Sequence, residues 1–421
     1  MTAVILTAAA TWACDASDRP RESGRLLFDF GAAMVQPGYS QVLPDMIYSR
    51  ESGYGFEPGS SVIAVNRGGN DALRSDFCTS DQPFYFSVAL PEGNYNVTVT
   101  LGDLEGPSKT TVKAELRRLM LEKVFTDPGK FAERTFTVNV RTPRIDQGGE
   151  VRLKDRERNV EMWSWDEKLT LEFNNTRPSL CALTIEPAKD APTVYLLGDS
   201  TVCDQPSEPW NSWGQMLPRF FRPGVAVANH AESGESIASS LDARRVDKVL
   251  SIVRPNDYVF AQFGHNDMKS SEPTALGLYK VDLRKLVLDV RERGATPVLI
   301  TSMERQTGVQ RDTLGEYPAS VRELAREENV ALIDLHAMSK ELYRALGPNL
   351  SRAFQDGTHH NSYGSYQLAR CVIEGIRQNR LDLASSIADD VRAYDPAYPG
   401  SVESFQIPPS PKRSESKPEG D

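Results

Sequence analysis

In Val194-Tyr195-Leu196-Leu197-Gly198-Asp199-Ser200-Thr201-Val202, four apolar residues run into Gly198, the Asp199 carboxylate and the Ser200 and Thr201 hydroxyls before Val202. A short unbroken apolar run predicts a strand buried on both faces, and the polar group after it predicts a tight turn into a helix. The apolar run recurs downstream at Val225–Ala228, Tyr258–Phe263, Pro297–Ile300 and Val330–Ile333. Helix-spaced segments lie between these runs, clearest over Leu276–Arg293 and Ala319–Glu328. Buried strands alternating with amphipathic helices predict a parallel sheet covered on both faces. In such sheets, sites form beyond the carboxyl ends of the strands, so each strand exit is a place to look for reactive groups.

Upstream of this region the period changes. Phe84–Ala89, Tyr95–Leu101, Arg134–Val140 and Lys168–Phe173 are short strand-like runs, the last three alternating, and Leu180–Ile185 is another apolar run. Short strands between Gly and Pro turns predict a β-sandwich. Val112–Val124 has helix-compatible spacing but reads better as strands or a mixed excursion. The change of period falls at the connector Pro187–Pro192. The expected division is a sandwich over 25–188, an α/β domain over 192–382 and a C-terminal extension over 383–421.

The chain has 421 residues, enough for two or three domains of about 100–200 residues each. It carries 39% hydrophobic residues and 29 glycines, an ordinary globular composition that excludes collagen, coiled coil and global disorder. The formal charge of -10 disfavours nucleic acid or anionic membrane as a partner. No apolar run is long enough to span a bilayer as a helix. Met1–Ala13 is apolar and small, like the core of an export signal, although no positive charge precedes it. Residues 1–20 are therefore expected to be a signal and the protein secreted or periplasmic; Thr11-Trp12-Ala13 is a poor context for lipid on Cys14. Pro408–Asp421 offers no apolar residue to bury and is expected to be disordered. The cysteines after Cys14 are Cys78, Cys181, Cys203 and Cys371; two disulfides or four buried thiols are equally compatible with the sequence.

The strand exits carry the candidate chemistry. Ser200 follows the first strand, where a tight turn exposes a hydroxyl beside free helix N–H groups; a plain helix cap by Asp199 or Ser200 is the simpler alternative. Gly234 lies in the second exit, where a glycine permits positive φ or close backbone approach. The third exit is Gly264-His265-Asn266-Asp267, whose Asn266 amide is the kind of donor a developing oxyanion needs. Asp356-Gly357-Thr358-His359-His360 precedes a helical stretch over Asn361–Gln378. An acid three residues before a histidine fits a base and its orienting carboxylate on one loop. Two rival readings stand beside it: His336, in Asp334-Leu335-His336, as the base, and a metal held by Asp356, His359 and His360, for which no further ligands are evident.

Taken in order, Gly198-Asp199-Ser200-Thr201-Val202, Gly234, Gly264-His265-Asn266-Asp267 and Asp356-Gly357-Thr358-His359 resemble the SGNH, or GDSL-like, hydrolase superfamily. Together with Ser212-Trp213-Gly214 they look most like its rhamnogalacturonan acetylesterase branch, and Phe28-Asp29-Phe30-Gly31 gives the first half a diffuse likeness to a galactose-binding-like sandwich. The resemblance implies an α/β SGNH hydrolase with a flavodoxin-like parallel sheet behind an all-β jelly-roll domain. It implies Ser200 as nucleophile, His359 as base, Asp356 as its partner, and an oxyanion hole from the Ser200 and Gly234 amides and the Asn266 side chain, with Gly198 and Asp199 in support. Trp213, Arg305 and His265 are the candidate substrate contacts, and no metal or organic cofactor is called for. The expected reaction is removal of O-acetyl groups from a plant cell-wall polysaccharide, rhamnogalacturonan first. Acetylxylan, a broad ester range including lysophospholipids, and non-catalytic sugar binding are the alternatives. Glu235 departs from the family pattern by replacing a positive charge near the cleft, which counts against an anionic substrate.

Overall fold

The computed structural model describes residues 24–146 and 148–419; the expected export signal and Cys14 lie outside them. The first half forms two facing sheets. One runs in the order Lys130–Val140, Gly93–Asp103, Ser179–Pro187, Leu26–Phe30, Ser40–Val42, with Asp76–Thr79 and Ile63–Asn66 branching from it. The other runs Tyr54–Phe56, Phe84–Ala89, Lys168–Asn174, Ser108–Ala114, Arg118–Thr126. The stretch with helix-compatible spacing is thus a strand hairpin, Ser108–Ala114 against Arg118–Thr126. Its two turn residues with positive φ, Glu115 and Arg117, are both buried, Glu115 on Thr170 of the sandwich and Arg117 on the second domain. Between the sheets the inward residues mesh as an aromatic cluster, in which Phe30, Phe56, Phe84, Phe86 and Phe173 are all fully buried. Their rings meet mostly edge to face, as aromatic quadrupoles favour.

The second half is a five-stranded parallel sheet. Its order is Ala226–Asn229, Thr193–Gly198, Tyr258–Gln262, Thr296–Ile300, Ala331–Ile333, which by chain position is 2-1-3-4-5, the flavodoxin-like order. Alternate residues of each strand feed two cores. Leu197, Val259 and Leu299 pack with helices Arg245–Ile252, Ala275–Glu292 and Tyr317–Glu327. Leu196, Phe260 and Val298 pack with Trp213–Met216, Leu335–Leu346 and Ser362–Gln378. The strand order reverses between the first and third strands, Thr193–Gly198 and Tyr258–Gln262, which lie side by side, so a site is expected at their carboxyl ends.

The two halves are joined through buried polar contacts rather than by a linker alone. Arg245 forms a two-pronged ion pair with Glu157, at 2.5 and 3.0 Å, with both side chains fully buried. Arg118 donates to the Val227 carbonyl, and Arg117 donates to the carbonyls of Gln205 and Trp210. Buried charges held in this way are costly to orphan, so they fix the orientation of one domain on the other. Cys78, Cys181, Cys203 and Cys371 are all buried free thiols, which resolves the disulfide alternative.

The C-terminal stretch corrects one expectation. Pro408–Glu419 is laid across both domains, not disordered. Lys113 donates to the Pro408 carbonyl and to Ser410, Asn174 donates to the Pro409 carbonyl, and Ser410 is 2% exposed. Apolar burial was the wrong criterion, because this strap is held through its own backbone polar groups.

Candidate active site

Strand Thr193–Gly198 ends at a turn with no room for a side chain. A Cβ on Gly198 would lie 2.7 Å from the Gln262 carbonyl oxygen and from a Val202 methyl. Asp199 then ties the turn: its Oδ1 accepts from the Thr201 amide at 2.9 Å and the Thr201 hydroxyl at 2.7 Å. Burial alone would raise the Asp199 carboxyl, but His265 and Thr201 outweigh it and hold the group below its usual range. The next residue, Ser200, is presented from this rigid turn.

The Ser200 Oγ lies 2.9 Å from Nε2 of His359, 159 residues later in the chain. On the other side of the ring, Nδ1 is 2.8 Å from Asp356 Oδ2. Asp356 Oδ1 accepts the amides of Thr358 at 2.7 Å and His359 at 2.6 Å, so one carboxylate both folds the loop and aims the imidazole. Burial pushes the Asp356 carboxyl up, yet the His359 contacts and the backbone amides together carry it well below the ordinary range. The loop is pinned to its neighbours by Gln306 N–H on the Gly357 carbonyl and Gln355 N–H on the His359 carbonyl. Ser200 and His359 are 2% and 1% exposed, so the pair sits in a largely water-excluded setting.

Two further expected groups lie on the flanking loops. Gly234 has φ +79°, a conformation that side-chain-bearing residues rarely adopt. Its loop runs beside the serine turn, with the Glu232 amide on the Gly198 carbonyl at 3.1 Å. Asn266 donates one Nδ2 hydrogen to the Glu235 carbonyl at 3.0 Å, which ties the third strand exit to the second and leaves the other hydrogen of that amide.

The match to known families follows the same map. Residues 196–366 match the GDSL-like Lipase/Acylhydrolase family, and residues 26–143 match the Beta-agarase/YXIM esterase-like, galactose-binding domain-like family. The chain is 36% identical over 212 residues to the rhamnogalacturonan acetylesterase RhgT of Bacillus subtilis (strain 168), spanning 45% of this chain and 91% of that one. The chain belongs to the GDSL-like lipase/acylhydrolase family. It is 29% identical over 376 residues to the uncharacterized esterase YxiM of the same organism, spanning 84% of this chain and 91% of the relative. The crystal structure of that YxiM protein aligns with TM-score 0.46 and 27% identity over 85% of this chain and 99% of its own. The protein is thus an ester hydrolase of SGNH type whose parallel-sheet domain follows an all-β galactose-binding-like domain.

Within this GDSL-like domain, three expected substrate contacts are corrected. Trp213 is fully buried and donates its Nε1 to Gln262 Oε1 at 2.9 Å, so it belongs to the core. His265 is 1% exposed, locked between Asp199 at 3.2 Å and the Met303 carbonyl at 2.9 Å beneath the serine turn. Arg305 is half-buried and spends its guanidinium internally on Thr358 Oγ1, the carbonyls of Thr313 and His265, and Met268 Sδ, so it ties strand exits together. The aromatic residue beside His359 is instead Trp210, whose ring meets the imidazole edge-on at 5.8 Å. The aromatic loop was visible in the sequence, but which of its tryptophans faces the site depends on the cap at Ser212.

The rival assignments also find other uses for their residues. His336 receives Arg322 on Nδ1 and donates Nε2 to Glu304 at 3.2 Å, and is not a partner of Ser200. His360 pairs with the Tyr343 hydroxyl at 2.9 Å, and burial, then the neighbouring His359 charge, lowers its pKa to about 3. Among the described residues, Glu304–Asp312–His336 and Glu157–Glu161–Glu232 gather donors that could hold a metal. Their carboxylates already face protein donors: Glu304 meets Thr313 and His336, Asp312 meets Lys340, Glu157 meets Arg245, and Glu161 and Glu232 share Arg156.

Proposed function

We propose that the protein is a serine carbohydrate esterase that removes O-acetyl groups from rhamnogalacturonan, with residues 192–382 as the hydrolase and residues 25–188 as the sandwich that flanks it. The observation that supports the machinery is the unbroken run Asp356–His359–Ser200, with 2.8 and 2.9 Å between its members. His359 takes the Ser200 proton as Oγ attacks the acetyl carbonyl; Asp356 keeps Nδ1 protonated and offsets the imidazolium charge. The oxyanion is met by the Ser200 and Gly234 amides and by the remaining Asn266 hydrogen. His359 then returns the proton to the departing sugar hydroxyl, leaving an acetyl-enzyme. Water, deprotonated by the same imidazole, frees acetate and restores Ser200.

The choice of rhamnogalacturonan is supported by the 36% identity to RhgT, whose own name gives that substrate. Export, suggested by the apolar Met1–Ala13, would bring the enzyme to such a polymer. The test is acetate release from acetylated rhamnogalacturonan and from acetylxylan at equal acetyl content. The reading expects faster release from the former; faster release from xylan would overturn the substrate while leaving the esterase chemistry standing.

A further inference from the structure

The far end of the chain reaches the oxyanion loop. After its anchors at Pro408–Ser410, the strap pairs with the loop that carries Trp210. The Glu208 amide donates to the Lys412 carbonyl, the Ser414 amide donates to the Glu208 carbonyl, and Trp210 Nε1 donates to the Ser414 carbonyl at 2.9 Å. It ends with Glu419 against Gly234, where a Cβ on that glycine would lie 3.2 Å from Glu419 Cβ and 3.5 Å from its Oε2. An acidic side chain therefore sits at the rim of the turn expected to hold the oxyanion.

The cation that holds it comes from the sandwich side. Lys154 Nζ lies 2.5 Å from the Ser233 carbonyl, 3.2 Å from Glu235 Oε1 and 3.4 Å from Glu419 Oε2. An ammonium has three hydrogens. The first two partners are built into the buried loop, whereas Glu419 is 57% exposed on a strap, so only the third partner is exchangeable. The Glu235 charge that counts against an anionic substrate is thus covered by Lys154. Behind it, burial and then the like charges of Glu161 and Glu157 raise the Glu232 carboxyl, which favours its neutral form and removes another source of repulsion. Arg156 and Arg245 face the same group.

We infer that Lys154 is a specificity-determining residue that binds a carboxylate of the sugar backbone beside the acetyl ester, and that Glu419 fills this position until a uronate-bearing chain displaces it. The inference rests on the carbohydrate-esterase reading and narrows it to substrates carrying a uronic acid near the acetylated sugar. The strap carboxylate is the internal stand-in for that acid.

The test uses the full chain, with unacetylated trigalacturonate and a neutral galactose trisaccharide as inhibitors of 4-nitrophenyl acetate hydrolysis. The inhibition constant for trigalacturonate should be about tenfold lower than for the neutral sugar, the scale of one charge-assisted contact in a part-exposed site. Lys154→Met should abolish that preference and Lys154→Arg should keep it. Glu419→Gln should tighten trigalacturonate alone, severalfold. Equal inhibition by the two sugars, an equal shift for both in Lys154→Met, or no response to Glu419→Gln would each overturn the inference. Calorimetric titration of Ser200→Ala with the same sugars reads binding without turnover, so failure of the carboxylate site is separable from failure of the esterase reading.

Discussion

Asp356→Asn isolates the orienting role of one atom. In the structure, Oδ1 accepts two backbone amides, from Thr358 and His359, while Oδ2 faces His359 Nδ1. An asparagine keeps its oxygen on the two amides, because the flipped amide would point NH₂ at two donors. Its nitrogen then faces Nδ1 and forces that atom to accept, which moves the ring proton to Nε2. The nitrogen that should receive the Ser200 proton is now protonated. An inversion of this kind costs about 10³–10⁴ in kcat, or about 4–5.5 kcal/mol of barrier. KM should barely change, and because the loop closure survives, Tm should stay within about 3 °C. Asp356→Ala is the control: it strips both amides of their acceptor and should cost about 1–3 kcal/mol of stability as well. Steady-state kinetics on 4-nitrophenyl acetate and calorimetric melting give the two readouts. If Asp356→Asn retained more than about a tenth of wild-type kcat with Tm unchanged, the orientation argument would be wrong.

Three further outcomes follow from the site. Asn266→Ala should lower kcat about 10²–10³-fold by removing an oxyanion donor; a change confined to KM would assign that amide to ground-state binding. Trp213→Phe leaves buried Gln262 Oε1 without its 2.9 Å donor and should cost about 1–3 kcal/mol in denaturant unfolding with KM unchanged; a raised KM would return Trp213 to the substrate cleft. Asp267 has its carboxyl pKa raised to about 7, chiefly by burial, with Oδ1 held by the Ile237 amide and Oδ2 without a hydrogen-bond partner among the described residues. The folded state therefore binds that proton more tightly than the unfolded chain, and wild-type stability is lost as pH rises from about 4 to 7, by at most about 4 kcal/mol. Asp267→Asn keeps the Ile237 acceptor without the charge, so its Tm advantage over wild type should widen across that range; a difference independent of pH would contradict the assignment.

How far the sequence could be read depended on the range over which each residue acts. Continuous runs such as Val194–Leu197 declare a buried parallel sheet because both faces of the strand must be apolar. The juxtaposition of Ser200, Asp356 and His359 could be expected from the sequence because few residue types suit such chemistry and all three stand on loops at strand exits. His265, Trp213 and Arg305 share that address and chemical promise, but burial turned each toward a protein partner that no local pattern announces. The hairpin over Val112–Val124 carried helix spacing, and its pairing was decided by contact with Lys168–Asn174 far along the chain. The strap is the extreme case: Lys154 and Glu419 are 265 residues apart, and neither is unusual in its own neighbourhood.

The most direct measurement is active-site labelling by diethyl 4-nitrophenyl phosphate, followed by peptide mapping. The account predicts one phosphoryl group per chain, on Ser200, formed in step with the loss of esterase activity and absent from His359→Ala on the same timescale. Activity lost with the label on another residue, or retained with Ser200 fully labelled, would contradict it.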